Sequence, residues 1–153
     1  MKEAEKEKRV KRAVELFEKG FNCSQSVFAA FCDRYGYKED EGLVLAASFG
    51  GGIGRMRETC GAACGLFMIA SLETGCSKEG DREGKARNYR MVQSLAKQFK
   101  EKNGALRCAE LLGLEKPKLG ETEPEERTTA YYKKRPCKKI VETAAEIAAE
   151  NFD

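Results

Sequence analysis

The sequence predicts an all-α fold, a single compact domain over residues 1–153 with roughly six to eight helices and a glycine-rich loop before the central helix. Apolar residues recur at helical spacing over most of the chain, and strand-like alternation is weak throughout. Capping residues or glycines mark the ends of the apolar segments. A chain of 153 residues is long enough for one domain with a hydrophobic core and short for two.

Three helices are predicted in the first part of the chain. They span residues 3–20, 22–36 and 39–48. Gly20 ends the first helix, and either Asn22 or Ser24 can cap the second. The segment from Gly50 to Gly54 is too rich in glycine for the interior of a helix or strand, so we expect a loop there.

The second part of the chain contains the central helix and the remaining ones. Their predicted spans are residues 60–72, 81–102, 108–112 and 123–134, and a last helix has Pro136 in its first turn. Thr59 is the expected cap of the central helix, and Gly61 and Gly65 give that helix a small-residue stripe that lets another backbone approach closely. Thr122 with Glu125 fits a capping box, which predicts the start of the helix at 123. A loop is expected over residues 113–120.

The composition excludes several kinds of chemistry. The chain has no histidine, which excludes Cys₂His₂ zinc sites, histidine-ligated haem and catalysis by Ser-His-Asp or Cys-His pairs. The net charge is only +3 and the charges alternate in sign, so we expect no nucleic-acid partner. No apolar run approaches the roughly 20 residues that span a bilayer, and the charged N-terminus lacks an apolar signal segment. We therefore expect a cytoplasmic protein with reduced thiols and no membrane insertion.

Four of the seven cysteines stand where a helix is predicted to begin. These are Cys23, Cys60, Cys108 and Cys137. A helix N-terminus presents unpaired N–H groups and a positive dipole end, which favour a thiolate over a thiol. A thiolate attacks disulfides and binds metals, so the recurrence predicts a redox or metal site. The intervals between these cysteines match neither the paired C-x-x-C of zinc ribbons nor the cysteine run of bacterial ferredoxins.

The other three cysteines have less distinctive positions. Cys64 follows Cys60 by one helical turn, about 5–6 Å away at Cβ, which suits an additional metal ligand and not a disulfide. Whether Cys64 joins the site or only fills space in the core stays open. Cys32 is expected to pack in the core, and Cys76 is either an exposed thiol or a packing residue.

The glycine-rich loop is expected to support the cysteine site. It matches neither a P-loop, since no Gly-Lys-Ser/Thr follows, nor a dinucleotide-binding turn, since no strand precedes it. Gly51 and Gly52 instead bring free backbone N–H groups close to the start of the Cys60 helix. Arg55 or Arg57 would add positive charge near the sulfur atoms.

These motifs together resemble one known family, the C_GCAxxG_C_C redox-active proteins of prokaryotes. The resemblance covers about residues 8–150, and it rests on the segments 22–27, 49–55, 60–65, 108–113 and 137–141. It implies that Cys23, Cys60, Cys108 and Cys137 are the signature cysteines, and that Cys32, Cys64 and Cys76 lie outside the signature. The family is similar to part of the split-Soret cytochromes, dimeric proteins that hold an iron–sulfur cluster beside their haems. The chain lacks C-x-x-C-H, so the resemblance implies a cluster without haem, and a homodimer is a further expectation.

Three functions remain open at this stage. The leading hypothesis is that the four signature cysteines bind an iron–sulfur cluster, or another thiophilic metal, and pass electrons to a redox partner. The second is metal-free thiol–disulfide chemistry with Cys60 as the attacking thiol. The third is a structural or metal-storage helical module. The sequence does not decide whether the protein is an enzyme.

Overall fold

The chain folds into α-helices, as the sequence predicts. The computed structural model describes residues 1–115 and 120–153, and within them there are eight α-helices, two short 3-10 turns and no β-strand. The helices are α1 (Glu3–Glu18), α2 (Cys23–Ala29), α3 (Glu39–Ala46), α4 (Gly61–Thr74), α5 (Arg82–Asn103), α6 (Cys108–Leu111), α7 (Thr129–Lys134) and α8 (Cys137–Asn151). The 3-10 turns are Cys32–Tyr35 and Ala47–Phe49. The predicted fold class and number of helices are therefore confirmed.

Helix α4 lies at the centre of the bundle, because its small residues allow other backbones to come close. A Cβ atom added to Gly61 would lie 2.9 Å from the carbonyl oxygen of Phe49. A Cβ atom added to Gly65 would lie 2.9 Å from the carbonyl oxygen of Ser24, on α2. The predicted small-residue stripe is thus confirmed as the surface on which α2 packs.

The outer helices bury one face each. Four large side chains expose no more than 1% of their surface to solvent: Phe17 of α1, Leu95 and Phe99 of α5, and Ile147 of α8. Removing each such side chain from water contributes about 1.5–3 kcal/mol to folding. No helix in the described part of the chain combines the length and apolar character that a membrane crossing needs.

Helix α2 begins as predicted and ends earlier. The Asn22 side chain accepts a hydrogen bond from the backbone N–H of Gln25 at 2.9 Å, and the Gln25 side chain accepts one from the N–H of Asn22 at 3.0 Å. This reciprocal capping box fixes the start of the helix. The predicted end at Gly36 is wrong, since α2 stops at Ala29 and Gly36, at φ +88°, ends the following 3-10 turn.

The cap of α4 and the start of α7 differ from the sequence prediction. Cys60, and not Thr59, is the N-cap residue of α4. Helix α7 starts six residues later than the Thr122 capping box predicts, with the Thr128 side chain accepting from the N–H of Tyr131.

The late start of α7 has a tertiary cause. Arg127 donates to the carbonyl oxygens of Phe17 at 3.0 Å and Phe21 at 2.9 Å, and these contacts anchor the non-helical residues 121–128, which we call the strap. Within the predicted 113–120 loop, residues 116–119 lie outside the described part of the chain.

Candidate functional site

The four cysteines predicted at helix starts line one cavity of about 380 Å³. They are Cys23, Cys60, Cys108 and Cys137. The remaining walls come from the glycine-rich loop, from the strap and from four arginines. Side chains far apart in sequence therefore meet around a shared space.

Each of these cysteines does begin a helix. Cys23, Cys108 and Cys137 are the first residues of α2, α6 and α8, and Cys60 is the N-cap of α4. The helix-start prediction is confirmed. The backbone N–H groups of Ala62 and Ala63, at the start of α4, lie near the Cys60 sulfur and favour its thiolate form.

A short antiparallel bridge holds the Cys60 and Cys108 segments side by side. Thr59 and Arg107 form this isolated bridge. The N–H of Cys60 donates to the carbonyl oxygen of Leu106 at 2.8 Å, and the N–H of Cys108 donates to that of Glu58 at 2.6 Å. The relative position of the two cysteines is therefore fixed by main-chain hydrogen bonds.

The glycine-rich loop has an unusual backbone. Its left-handed residues are Gly51, Gly52, Ile53, Gly54, Arg55 and Arg57, with φ between +56° and +72°. A left-handed conformation costs a residue with a side chain about 1–2 kcal/mol, so a non-glycine residue needs other contacts to hold it there. Gly52 provides the close approach, because a Cβ atom on it would lie only 2.6 Å from the Cβ of Cys108. Gly51 and Gly52 both line the cavity, as the sequence suggested for supporting residues.

Two of the arginines in the cavity wall bind carboxylates of the strap. Arg55 pairs with Glu121 at 2.8 Å, and Arg135 pairs with Glu125. The sequence predicts Arg55 as a residue that supports the cysteine site. In the structure, its guanidinium group forms an ion pair with the strap. The two pairs tie the strap to two arginines of the cavity wall.

The other two arginines bind neutral groups. Arg57 donates from Nη1 to Sγ of Cys108 at 3.6 Å. Arg127 lies over the ring of Phe17, 4.4 Å from its centroid, in addition to binding two carbonyl oxygens. Sequence analysis missed Arg127 and Arg135 as cavity residues. Arg135 stands two residues before Cys137, which is a weak local signal, whereas Arg127 has none.

The sulfur atoms differ in their acidity. Burial raises the pKa of Cys60 to about 12 in spite of the N–H groups that face it, and burial also raises the pKa of Cys108 despite Arg57. A hydrogen bond with Cys137, followed by burial, raises the pKa of Cys23. Helix starts alone therefore do not make all four sulfurs thiolates, because burial outweighs the dipole in the metal-free protein.

Cys137 is the exception. Its pKa is lowered to about 7, first by the hydrogen bond from Cys23 and then by the nearby charges of Arg135, Arg127 and Arg57, with burial opposing. The thiol with a lowered pKa is thus Cys137, and not Cys60 as the sequence suggested.

The remaining cysteines lie away from the cavity lining. The Cys64 thiol is directed to the carbonyl oxygen of Thr59 at 3.8 Å. Cys32 is fully buried in the core, which confirms its predicted packing role, and Cys76 is exposed between α4 and α5. Within residues 1–115 and 120–153, no three His, Cys, Asp or Glu side chains form a group that could hold a metal ion.

Comparison with known proteins shows which family the sequence matches. Residues 21–151 match the model of the family described as "Putative redox-active protein (C_GCAxxG_C_C)". An uncharacterized protein of Archaeoglobus fulgidus is 33% identical over 161 residues, which cover 99% of this chain and 97% of that protein. No solved structure shows a significant match. The matched range contains the four cavity cysteines and the glycine-rich loop.

Proposed function

Because the chain belongs to the C_GCAxxG_C_C family of redox-active proteins, we propose that its four cavity cysteines bind an iron–sulfur cluster and that it passes electrons to a partner protein. One observation carries this proposal. Four cysteines from four separate helix starts line the same cavity of about 380 Å³. Four cysteine thiolates are the usual ligand set of [2Fe–2S] and [4Fe–4S] clusters, which supply one-electron transfer when bound. A cluster holds its ligand sulfurs farther apart than a single metal ion does, so it is compatible with a cavity whose described residues form no group for a single ion.

The surroundings of the cavity suit a negatively charged group. Arg57 and Arg127 face it without a carboxylate partner among the contacts of the described residues, and Arg135 lies beside Cys137. N–H groups at the helix starts can donate to a charged sulfur, and those of Ala62 and Ala63 favour the thiolate form of Cys60. Such hydrogen bonds and charges stabilise thiolate ligands and raise the reduction potential of a cluster.

The experiment is purification without oxygen from iron-replete cells, followed by measurement of iron, acid-labile sulfide, visible absorbance and EPR of the reduced protein. Cys60→Ser and Cys108→Ser should lose the iron and sulfide together, because each removes one ligand. Cys64→Ser and Cys76→Ser are matched controls, and both should keep the cluster. A colourless, iron-free wild-type protein, or equal loss in Cys76→Ser, would contradict the proposal.

A second function is favoured by the contact between Cys23 and Cys137. The Cys137 thiolate would attack a substrate disulfide and release one thiolate, forming a mixed disulfide. Cys23 would then lose its proton and attack the Cys137 sulfur, releasing the second thiolate and leaving a Cys23–Cys137 disulfide. Two electrons pass to the substrate disulfide in this sequence.

The two functions make different predictions for the metal-free protein. Treatment with an excess of a small-molecule disulfide, followed by alkylation and mass spectrometry, should reveal a Cys23–Cys137 bridge if the second function holds. Exchange that involves only the exposed Cys76 would exclude it. The bridge would also remove two ligands from a cluster site, so the iron content of the oxidised and reduced samples separates the two functions.

A further inference from the structure

Arg57 differs from the other cavity arginines in the atom that it binds. Its Nη1 donates to Sγ of Cys108 at 3.6 Å, within the range of hydrogen bonds to sulfur. In the described part of the chain, Arg55 and Arg135 direct their charge to carboxylates, and Arg127 directs its charge to carbonyl oxygens. Arg57 therefore brings a permanent positive charge to one of the proposed ligand atoms.

The main chain fixes Arg57 on both sides. Its N–H donates to the carbonyl oxygen of Gly51 at 3.1 Å, and its carbonyl oxygen accepts from the N–H of Ala109 at 3.2 Å. Its φ of +62° is left-handed, a conformation that a residue with a long side chain adopts only when surrounding contacts hold it. Because Ala109 directly follows Cys108, the same hydrogen bond fixes the backbone of Arg57 relative to the backbone of Cys108.

We infer that Arg57 is a positioning residue that stabilises negative charge on the Cys108 sulfur and thereby raises the reduction potential of the group this cysteine holds. Reduction adds one negative charge to a cluster, and a guanidinium hydrogen-bonded to a ligand sulfur favours the more negative state. The inference about potential rests on the proposed cluster. The stabilisation of negative charge on sulfur does not, and it can be measured without metal.

Arg107 provides a matched control. It precedes Cys108 directly, but its side chain is half exposed and pairs with Glu58 at 3.6 Å and Glu110 at 4.0 Å. It does not line the cavity. Substitution of Arg107 therefore removes the same charge next to Cys108 without removing a hydrogen bond to sulfur.

The first experiment is a redox titration of the cluster-loaded wild type, Arg57→Gln, Arg57→Lys and Arg107→Gln. We expect Arg57→Gln to lower the equilibrium constant for reduction about tenfold, which is about 59 mV for one electron. Arg57→Lys should recover part of the loss, because it keeps the charge but not the planar donor geometry. Arg107→Gln should match the wild type. Equal potentials for Arg57→Gln and Arg107→Gln would overturn the inference.

The second experiment uses the reduced, metal-free protein and measures the alkylation rate of Cys108 by mass spectrometry. We expect Arg57→Gln to slow this rate severalfold and Arg107→Gln to leave it unchanged, with circular dichroism confirming that both fold. If the wild type binds no cluster, the proposed function is wrong, but the alkylation rate of Cys108 still tests whether Arg57 stabilises negative charge on its sulfur. An unchanged Cys108 rate in folded Arg57→Gln would overturn the inference independently.

Discussion

Cys23 and Cys137 line the same cavity at the starts of α2 and α8, and the interaction of their thiols raises the pKa of Cys23 and lowers the pKa of Cys137. In this interaction the Cys23 thiol is the donor and the Cys137 sulfur is the acceptor. Cys23 keeps its proton because its pKa is raised, and the pKa of Cys137 falls to about 7 because the Cys23 thiol and three arginines stabilise its thiolate. In the metal-free protein, Cys137 is therefore the sulfur that becomes a nucleophile near neutral pH.

Alkylation should show this directly. In the reduced, metal-free protein, the reaction of Cys137 with iodoacetamide should rise with pH to a plateau with a midpoint at about 7, because the thiolate is the reacting form. Cys23→Ala removes the largest cause of the lowered pKa, so the midpoint should move upward in that variant. A midpoint that is the same in wild type and Cys23→Ala would contradict the assignment of the hydrogen bond as the main cause.

Cys60 should make the protein less stable in alkali. Its folded-state pKa of about 12 lies above the ordinary thiol value of 9.0, so between these pH values the folded state holds a proton that the unfolded state has lost. The free energy of unfolding should then fall by about 1.4 kcal/mol for each pH unit in this window from Cys60 alone. Urea unfolding at increasing pH measures the slope.

The control for this prediction is Cys60→Ala, in which the site cannot ionise. The variant should show a shallower alkaline slope than the wild type, whatever its stability at neutral pH. Equal slopes in wild type and Cys60→Ala would show that the buried thiol is not a source of the pH dependence.

Local and tertiary effects explain which parts of the site could be predicted. The four helix starts follow from caps and apolar periodicity that lie within a few residues, so the sequence predicts them correctly. The meeting of their sulfurs in one cavity depends on how the helices pack, and the intervals between the cysteines carry no sign of it. Their shared position at helix starts groups these cysteines, and the resemblance to the family selects the same four, whereas the spacing does not.

Two errors have the same origin. The predicted helix start at 123 rests on a capping box that competes with Arg127, whose contacts with the carbonyl oxygens of Phe17 and Phe21 anchor the strap outside the helix. The expected low pKa of Cys60 rests on the helix dipole, which burial outweighs. Neither a distant carbonyl oxygen nor the burial of a sulfur can be read from neighbouring residues.

The strap should limit access to the cavity sulfurs. Glu125 binds Arg135 across the cavity edge, and a partly exposed ion pair contributes about 0.2–1 kcal/mol. Glu125→Gln should therefore increase the open population, and with it the alkylation rate of buried Cys60, by up to about fivefold. High salt should have a similar effect on the wild type because it screens the pair.

Glu126→Gln is the matched control for the strap, since Glu126 lies in the same segment and is exposed. It should leave the Cys60 rate unchanged, and Cys76 should react equally in all three proteins. Acceleration in Glu126→Gln as large as in Glu125→Gln would show that the charge of the segment matters and the ion pair with Arg135 does not.

Gly52→Ala should destabilise the protein through a clash at the site. A Cβ atom there would lie 2.6 Å from Cβ of Cys108 and 2.7 Å from the backbone N of Glu58, which the Cys108 hydrogen bond holds in place. Gly113→Ala is matched in backbone conformation, with φ +70° against +72°, and has nothing within 4 Å. Gly113→Ala should cost about 1–2 kcal/mol from left-handed strain alone, and Gly52→Ala about 1–3 kcal/mol more. Denaturant unfolding of both variants measures the difference, and equal losses would mean that the loop does not pack tightly against Cys108.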